Sequence, residues 1–303
     1  LVATSVAYSG ELAVSGSAGM NFKNYSDSST GKAVRMGNSV FFKGSGETDG
    51  GLNVNLSFEL DQGTPAGDGP FDSHFVSVGN DTLGTLTVHG HGGSNAAAAL
   101  DTTAAGDLWD NTLINTTATA STRMAPLASK SGDNLMVYSL PTLVDGLAVA
   151  GSYQAANTTG SGSTALGVTY SGIEGLSLSY GQGSSDDVKD IAGDQTIMKA
   201  SYAYGPITVA ASNNDFDHTT STIDQEVSSV SLSYTVSDQI SVSYGEETID
   251  RSGQTTDIEV NGVSISYTSG GMTASFAQVE AENVDHTAGL DKEVWNIGLS
   301  FAF

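Results

Sequence analysis

His89 and His91 flank a single glycine in the stretch LTVHGHGG. Two imidazoles at i and i+2 of an extended chain point to the same side, and such a pair can begin a metal site. No third ligand stands at a fixed spacing from them, so the pair reads as polar side chains on a wet inner surface. His74, His218 and His286 are isolated and read as ordinary polar residues. Acidic pairs recur: Asp186-Asp187, Asp215 with Asp217, Glu246-Glu247, Asp257 with Glu259, and Glu280 with Glu282. They read as solvated acidic loops. Loosely bound Ca²⁺ on Asp186, Asp187, Glu246 and Glu247 is the sharper alternative, although no twelve-residue calcium loop is present. Serine is abundant but recurs as an alternating spacer, and no phosphate loop, zinc signature or nucleophile elbow occurs. These residues imply no enzyme and no resident cofactor. A net charge of −24 argues against nucleic acid as a partner, since such binding needs a basic footprint.

The elements that must position these residues are strands. The last residues, KEVWNIGLSFAF, place Trp295, Ile297, Leu299, Phe301 and Phe303 at every second position. Asn296, Gly298, Ser300 and Ala302 lie between them. A period of two gathers one apolar row on one face of a strand. In water a strand this apolar at an edge is an aggregation hazard. It is acceptable when paired on both sides with its apolar face in lipid, as in a closed membrane barrel.

The same alternation runs through the chain. Leu12, Val14, Ala18, Met20 and Phe22 oppose Ser15, Ser17, Asn21 and Lys23. Leu52, Val54, Leu56, Phe58 and Leu60 oppose Asn53, Asn55, Ser57 and Glu59. Turn chemistry such as ETDGG, SGIEG and SGG separates the runs. The pattern predicts sixteen strands between residues 11 and 303, and an even number suits a bacterial outer-membrane barrel. Links after even strands are short and most links after odd strands are longer and polar, so one end is trim and the other carries loops. Tyr138, Tyr170, Tyr204, Tyr234 and Tyr267 fall near the trim end. Phe58, Tyr153, Tyr180, Phe216 and Tyr244 fall near the looped end, giving two expected interfacial belts.

Composition agrees. Charged residues are 15 %, below the usual quarter, and there is no cysteine. No apolar run is long enough for a membrane helix, and alternating strands escape hydropathy averaging. Residues 1–10 read as an N-terminal segment. Ser5-Val6-Ala7 resembles the end of a secretory signal, and a mature N-terminal segment is the equal alternative. Residues 11–303 read as one all-β barrel, with 92–132 its long third loop.

Three patches carry a family likeness. SVFFKGSGETDGGLNVNLSFEL resembles the second-strand, turn and third-strand unit of Gram-negative general diffusion porins, most of all those of alphaproteobacteria. VSVGNDTLGTLTVHG is similar to their fourth-to-fifth strand turn. Phe303, with Phe301 and Trp295 behind it, resembles the signal read by the barrel-assembly machinery. The resemblance implies a homotrimer of sixteen-stranded antiparallel barrels among outer-membrane lipid and lipopolysaccharide. Each would hold a water-filled pore for passive diffusion of small hydrophilic solutes and ions, narrowed by an inward-folded third loop. The constriction is then expected between Asp101, Asp107, Asp110 and Arg123 on the loop and Arg35, Lys43, Lys199, His89 and His91 on the wall. The family sets several wall arginines against that loop, whereas this chain has three arginines in all and Ser39 where relatives carry one. The acidic excess predicts a mild cation preference. Gly16 and Ala18 on strand 1, and DQGTPAGDGP after strand 3, suit contact with a neighbouring barrel. A substrate-specific channel for sugars or dicarboxylates is the rival, but it predicts an inner aromatic slide. A secreted adhesin is the more distant rival, but it predicts a fixed repeat.

Overall fold

The computed structural model describes residues 10–26, 32–61, 71–111, 132–156, 162–186, 192–219 and 223–303. It contains sixteen strands. They are β1 (Glu11–Tyr25), β2 (Lys32–Glu47), β3 (Asn53–Asp61), β4 (Ser73–Asn80), β5 (Gly84–His91), β6 (Leu135–Ser139), β7 (Leu147–Gln154), β8 (Ser163–Ile173), β9 (Leu176–Ser185), β10 (Gly193–Tyr204), β11 (Ile207–His218), β12 (Gln225–Thr235), β13 (Ile240–Arg251), β14 (Ile258–Ser269), β15 (Met272–Glu282) and β16 (Lys292–Ala302). Each pairs antiparallel with its neighbours in sequence, and β1 pairs with β16, so the sheet closes into a barrel with no edge. Closure gives every strand a partner on both sides, which a lipid environment requires.

The closing seam runs from Ser17 opposite Ala302 to Tyr25 opposite Val294. Beyond it, the Gly16 N–H donates to the Phe303 carbonyl (2.7 Å) and the Phe303 N–H donates to the Gly16 carbonyl (2.9 Å). The Phe303 ring lies over Gly16, where a Cβ would come within 3.0 Å of it. Gly16, one of the two small residues expected to admit a neighbouring barrel, is thus covered by its own chain's last side chain.

The two faces separate as the alternation predicts. Met198, Val209, Val230, Tyr244, Val263 and Ile297 project outward and are exposed. The inner face of β13 and β14 is paved with hydroxyls, with Ser243 bonded to Ser264 and Ser241 to Ser266, each at 2.8 Å. Toward the looped end the inner face turns apolar. Val227, Ile249, Ile258, Val260, Val279, Ala281, Val284 and Val294 form a buried cluster there, with Tyr25, Leu108 and Trp109 packed on it. These inner side chains are apolar because polypeptide, rather than water, covers them. Phe216 belongs to the same half. It is 1 % exposed and sits opposite Gln225 and Gln195, both buried, so it faces inward and is not part of the outer aromatic belt. The acidic pairs also differ from expectation. Asp215, Asp217, Glu246, Glu259, Glu280 and Glu282 lie within strands, near their looped ends, and share the outward parity of Tyr244 and Val263.

Candidate functional site: the inner wall and the third loop

The link between β5 and β6 leaves the wall through a narrow neck. The Gly93 N–H donates to the Gly132 carbonyl (3.2 Å), and His91 Nδ1 lies 2.6 Å from Asp133 Oδ1. Residues 112–131, Arg123 included, lie outside the described residues. The described part of the loop, 92–111, holds two short 3₁₀ turns, Ala98–Leu100 and Leu108–Asn111. Asn95 opens the first by accepting the N–H groups of Ala97 (2.9 Å) and Ala98 (2.8 Å), which satisfies two donors that the turn leaves unpaired.

From there the segment runs along the inner face and bonds to it strand by strand. The Ala96 N–H donates to Ser152 on β7 (2.9 Å), the Ala104 N–H to Ser212 on β11 (2.8 Å), and the Ala105 N–H to Ser229 on β12 (2.9 Å). Ser231 donates to the Ala104 carbonyl at 2.7 Å. Lys199 on β10 donates to the Thr102 carbonyl at 2.7 Å. Glu247 on β13 is 2 % exposed and accepts both the Thr103 hydroxyl and the Trp109 N–H, the latter at 3.1 Å. Thr103 and Asp107 clasp each other. The Thr103 N–H donates to Asp107 Oδ1 (2.9 Å) and the Asp107 N–H to the Thr103 hydroxyl (2.8 Å), holding Asp107 at a φ of 56°.

Close approach of the loop is possible because the wall is bare beneath it. Gly167 pairs with Gly181 across β8 and β9, and Gly245 with Gly262 across β13 and β14. A Cβ on Gly167 would come within 2.3 Å of the Ala96 carbonyl oxygen, and one on Gly245 within 2.6 Å of the Ala105 Cβ. Any side chain at these points would push the loop off the wall. Beneath the seated segment lie a cavity of about 230 Å³ beside Leu100, Ser179 and Lys199 and another of about 430 Å³ beneath 103–108.

Seven of the expected constriction residues divide into three groups. Asp101, Asp107 and Lys199 come together. Burial raises the Asp101 carboxyl to about 6 and Asp107 adds to the rise, while its own backbone N–H and the Lys199 ammonium pull it back. Arg35 and Lys43 have the inner parity expected, with Lys43 Nζ 5.2 Å from the Phe41 ring centroid. They stand on β2, eight places from β10 in the sixteen-strand ring, so they face the Lys199 wall from across the barrel. His89 and His91 stay at the neck: His89 packs on Phe75 (5.5 Å between centroids) and His91 pairs with Asp133. Asp110 belongs to the second 3₁₀ turn.

The calcium candidates do not converge. Adjacent positions of a strand face opposite ways, so Glu246 points outward while Glu247 is bonded to the loop inside. Asp187 lies outside the described residues, as do 1–9 and 62–70. Among the described residues no group of three His, Cys, Asp or Glu side chains is placed to hold a metal. Sequence reasoning missed Glu247 as the loop's anchor. The signal available was its inner parity, with an inner glycine, Gly245, two residues before it.

The pattern of the Gram-negative porin family matches residues 1–287. No curated protein sequence matches the chain. Solved structures share the fold. An anion-selective porin from Comamonas acidovorans superposes with a TM-score of 0.72 at 14 % identity, covering 97 % of this chain and all of that one. The trimer form of OmpT, an outer membrane protein of Vibrio cholerae, gives 0.69 at 14 %, covering 98 % and 100 %. A multiply substituted variant of the Rh. blastica porin gives 0.68 at 13 %, covering 97 % and 100 %. The family pattern spans nearly the whole chain and the closed sixteen-strand barrel agrees with it, so the chain belongs to the Gram-negative porins of the outer membrane.

Proposed function

We propose that this porin is a passive, mildly cation-preferring channel for small hydrophilic solutes and ions, working as a homotrimer. The observation that supports the ion preference most directly is the pair Asp101 and Asp107 on the seated loop, beside Lys199 on the wall. Lys199 already donates to the Thr102 carbonyl, so the passage there carries two carboxylates against one ammonium that is partly engaged. A charged cleft concentrates counter-ions. The larger acidic excess contributes less, because Asp215, Asp217, Glu226, Glu246, Glu259 and Glu280 face outward from the strands. Salt screens charges over about 10 Å at 0.1 M, so the preference weakens as salt rises. The trimer recorded for OmpT supports the oligomeric part of the reading. Anion selectivity is named for the Comamonas porin and is said of that protein alone.

The test is the zero-current potential across a planar bilayer under a tenfold KCl gradient. The expected sign is that of cation flow, reduced in a variant carrying Asp107→Asn and Asp110→Asn. Anion preference at low salt would show that the basic residues of the wall, and not the loop carboxylates, govern the passage.

A further inference from the structure

The cavity of about 430 Å³ beneath loop residues 103–108 differs chemically from the Lys199 side of the passage. Its wall is made by β11–β15, with Thr208, Ser231, Ser233, Ser243 and Ser264 among its lining residues. No charged side chain lines it among the described residues, although the chain carries 34 acidic and 10 basic ones. Its volume falls within the range of about 300–1,000 Å³ typical of small-molecule sites.

The arrangement of the hydroxyls matters more than their number. Ser243 and Ser264 bond to each other at 2.8 Å. A hydroxyl has one donor and two acceptor positions, so a bonded pair still offers one donor and several lone pairs to a third group. Ser231 spends its donor on the Ala104 carbonyl and keeps its acceptors. Beside these hydroxyls lie Leu108, Ala277 and Val279, which supply apolar surface for C–H groups. Hydroxyls set next to apolar side chains complement a molecule whose own surface alternates O–H and C–H. A wholly charge-free lining confers no advantage on an ion.

We infer that this cavity is a transit site for neutral polyhydroxylated solutes of monosaccharide size, and the inference rests on the channel reading above. Hydrogen bonds to hydroxyls exchange for bonds to water at little net gain, so occupancy is brief and weak. A transit site needs that, since a solute must bind well enough to enter and weakly enough to leave.

The experiment is uptake of D-glucose into vesicles holding the intact barrel, with KCl conductance measured on the same preparation. The expected uptake saturates, with half-saturation on the order of 10 mM. Combining Ser243→Ala with Ser264→Ala should raise that value about fivefold, the equivalent of one lost hydroxyl hydrogen bond. Combining Ser241→Ala with Ser266→Ala removes the same kind of pair outside the cavity lining and should leave the value unchanged. Uptake that rises linearly with glucose in a conducting barrel overturns the site and spares the channel reading. Equal shifts in the two double variants also overturn it, because the effect would then belong to the whole inner face. A barrel that conducts no KCl overturns the channel reading and the site together.

Discussion

Replacing Glu247 with alanine should loosen the third loop without opening the barrel. The buried carboxylate accepts the Thr103 hydroxyl and the Trp109 N–H, and through Thr103 it also braces Asp107. Hydrogen bonds to charged groups contribute about 1.5–3 kcal/mol each. Losing two, with the Trp109 N–H left beside an alanine, removes about 3 kcal/mol or more from seating of the segment. That shifts the ratio of seated to unseated loop by roughly a hundredfold. The remaining bonds to Ser152, Ser212, Ser229 and Lys199 keep the segment seated most of the time, so the expected phenotype is transient release. Single-channel recordings should show added open-state noise and larger conductance excursions. Limited proteolysis should cut between residues 92 and 132 faster than in the parent. Glu247→Gln should fall between, because its carbonyl oxygen still accepts one bond while its amide NH₂ faces the other donor. The strand ladders do not involve this side chain, so the heat-resistant barrel should persist. Unchanged noise and unchanged proteolysis in Glu247→Ala would show that the loop is held by its backbone contacts alone and would refute the reasoning.

Two further outcomes follow from the same geometry. Asp101 titrates near 6 because it is buried beside Asp107, so it is charged at pH 7.5 and neutral at pH 5; cation preference should therefore decline across that interval, and Asp101→Asn should flatten the dependence, while a reversal potential constant from pH 7.5 to 5 would exclude Asp101 from the ion path. Deleting Phe303 removes both backbone bonds to Gly16 and uncovers that glycine, so the yield of closed, heat-resistant barrel should drop sharply in refolding, and a normal yield would refute the role of the terminal residue.

The sequence by itself determined what is local. Alternation at a period of two marks each strand and the side each residue takes, so sixteen strands and the inner parity of Lys23, Arg35, Lys43, Lys199 and His89 are legible in it. The terminal face of Trp295, Ile297, Leu299 and Phe301 was legible for the same reason. Parity says which side a residue takes but nothing of what stands in front of it there. Phe216 and Glu247 have inner parity like any pore-lining serine, yet both are buried, because the upper inner surface is covered by polypeptide. Glu247 meets Thr103 across 144 positions, and that meeting depends on the path of the third loop over the Gly167–Gly181 and Gly245–Gly262 pairs. Closure of the ring likewise decided that Lys199 lies against the loop while Arg35 and Lys43 stand across from it. Strand alternation follows from backbone geometry one residue at a time. Depth, and partners across the barrel, come from closure and from the loop's course, which no period in the sequence encodes.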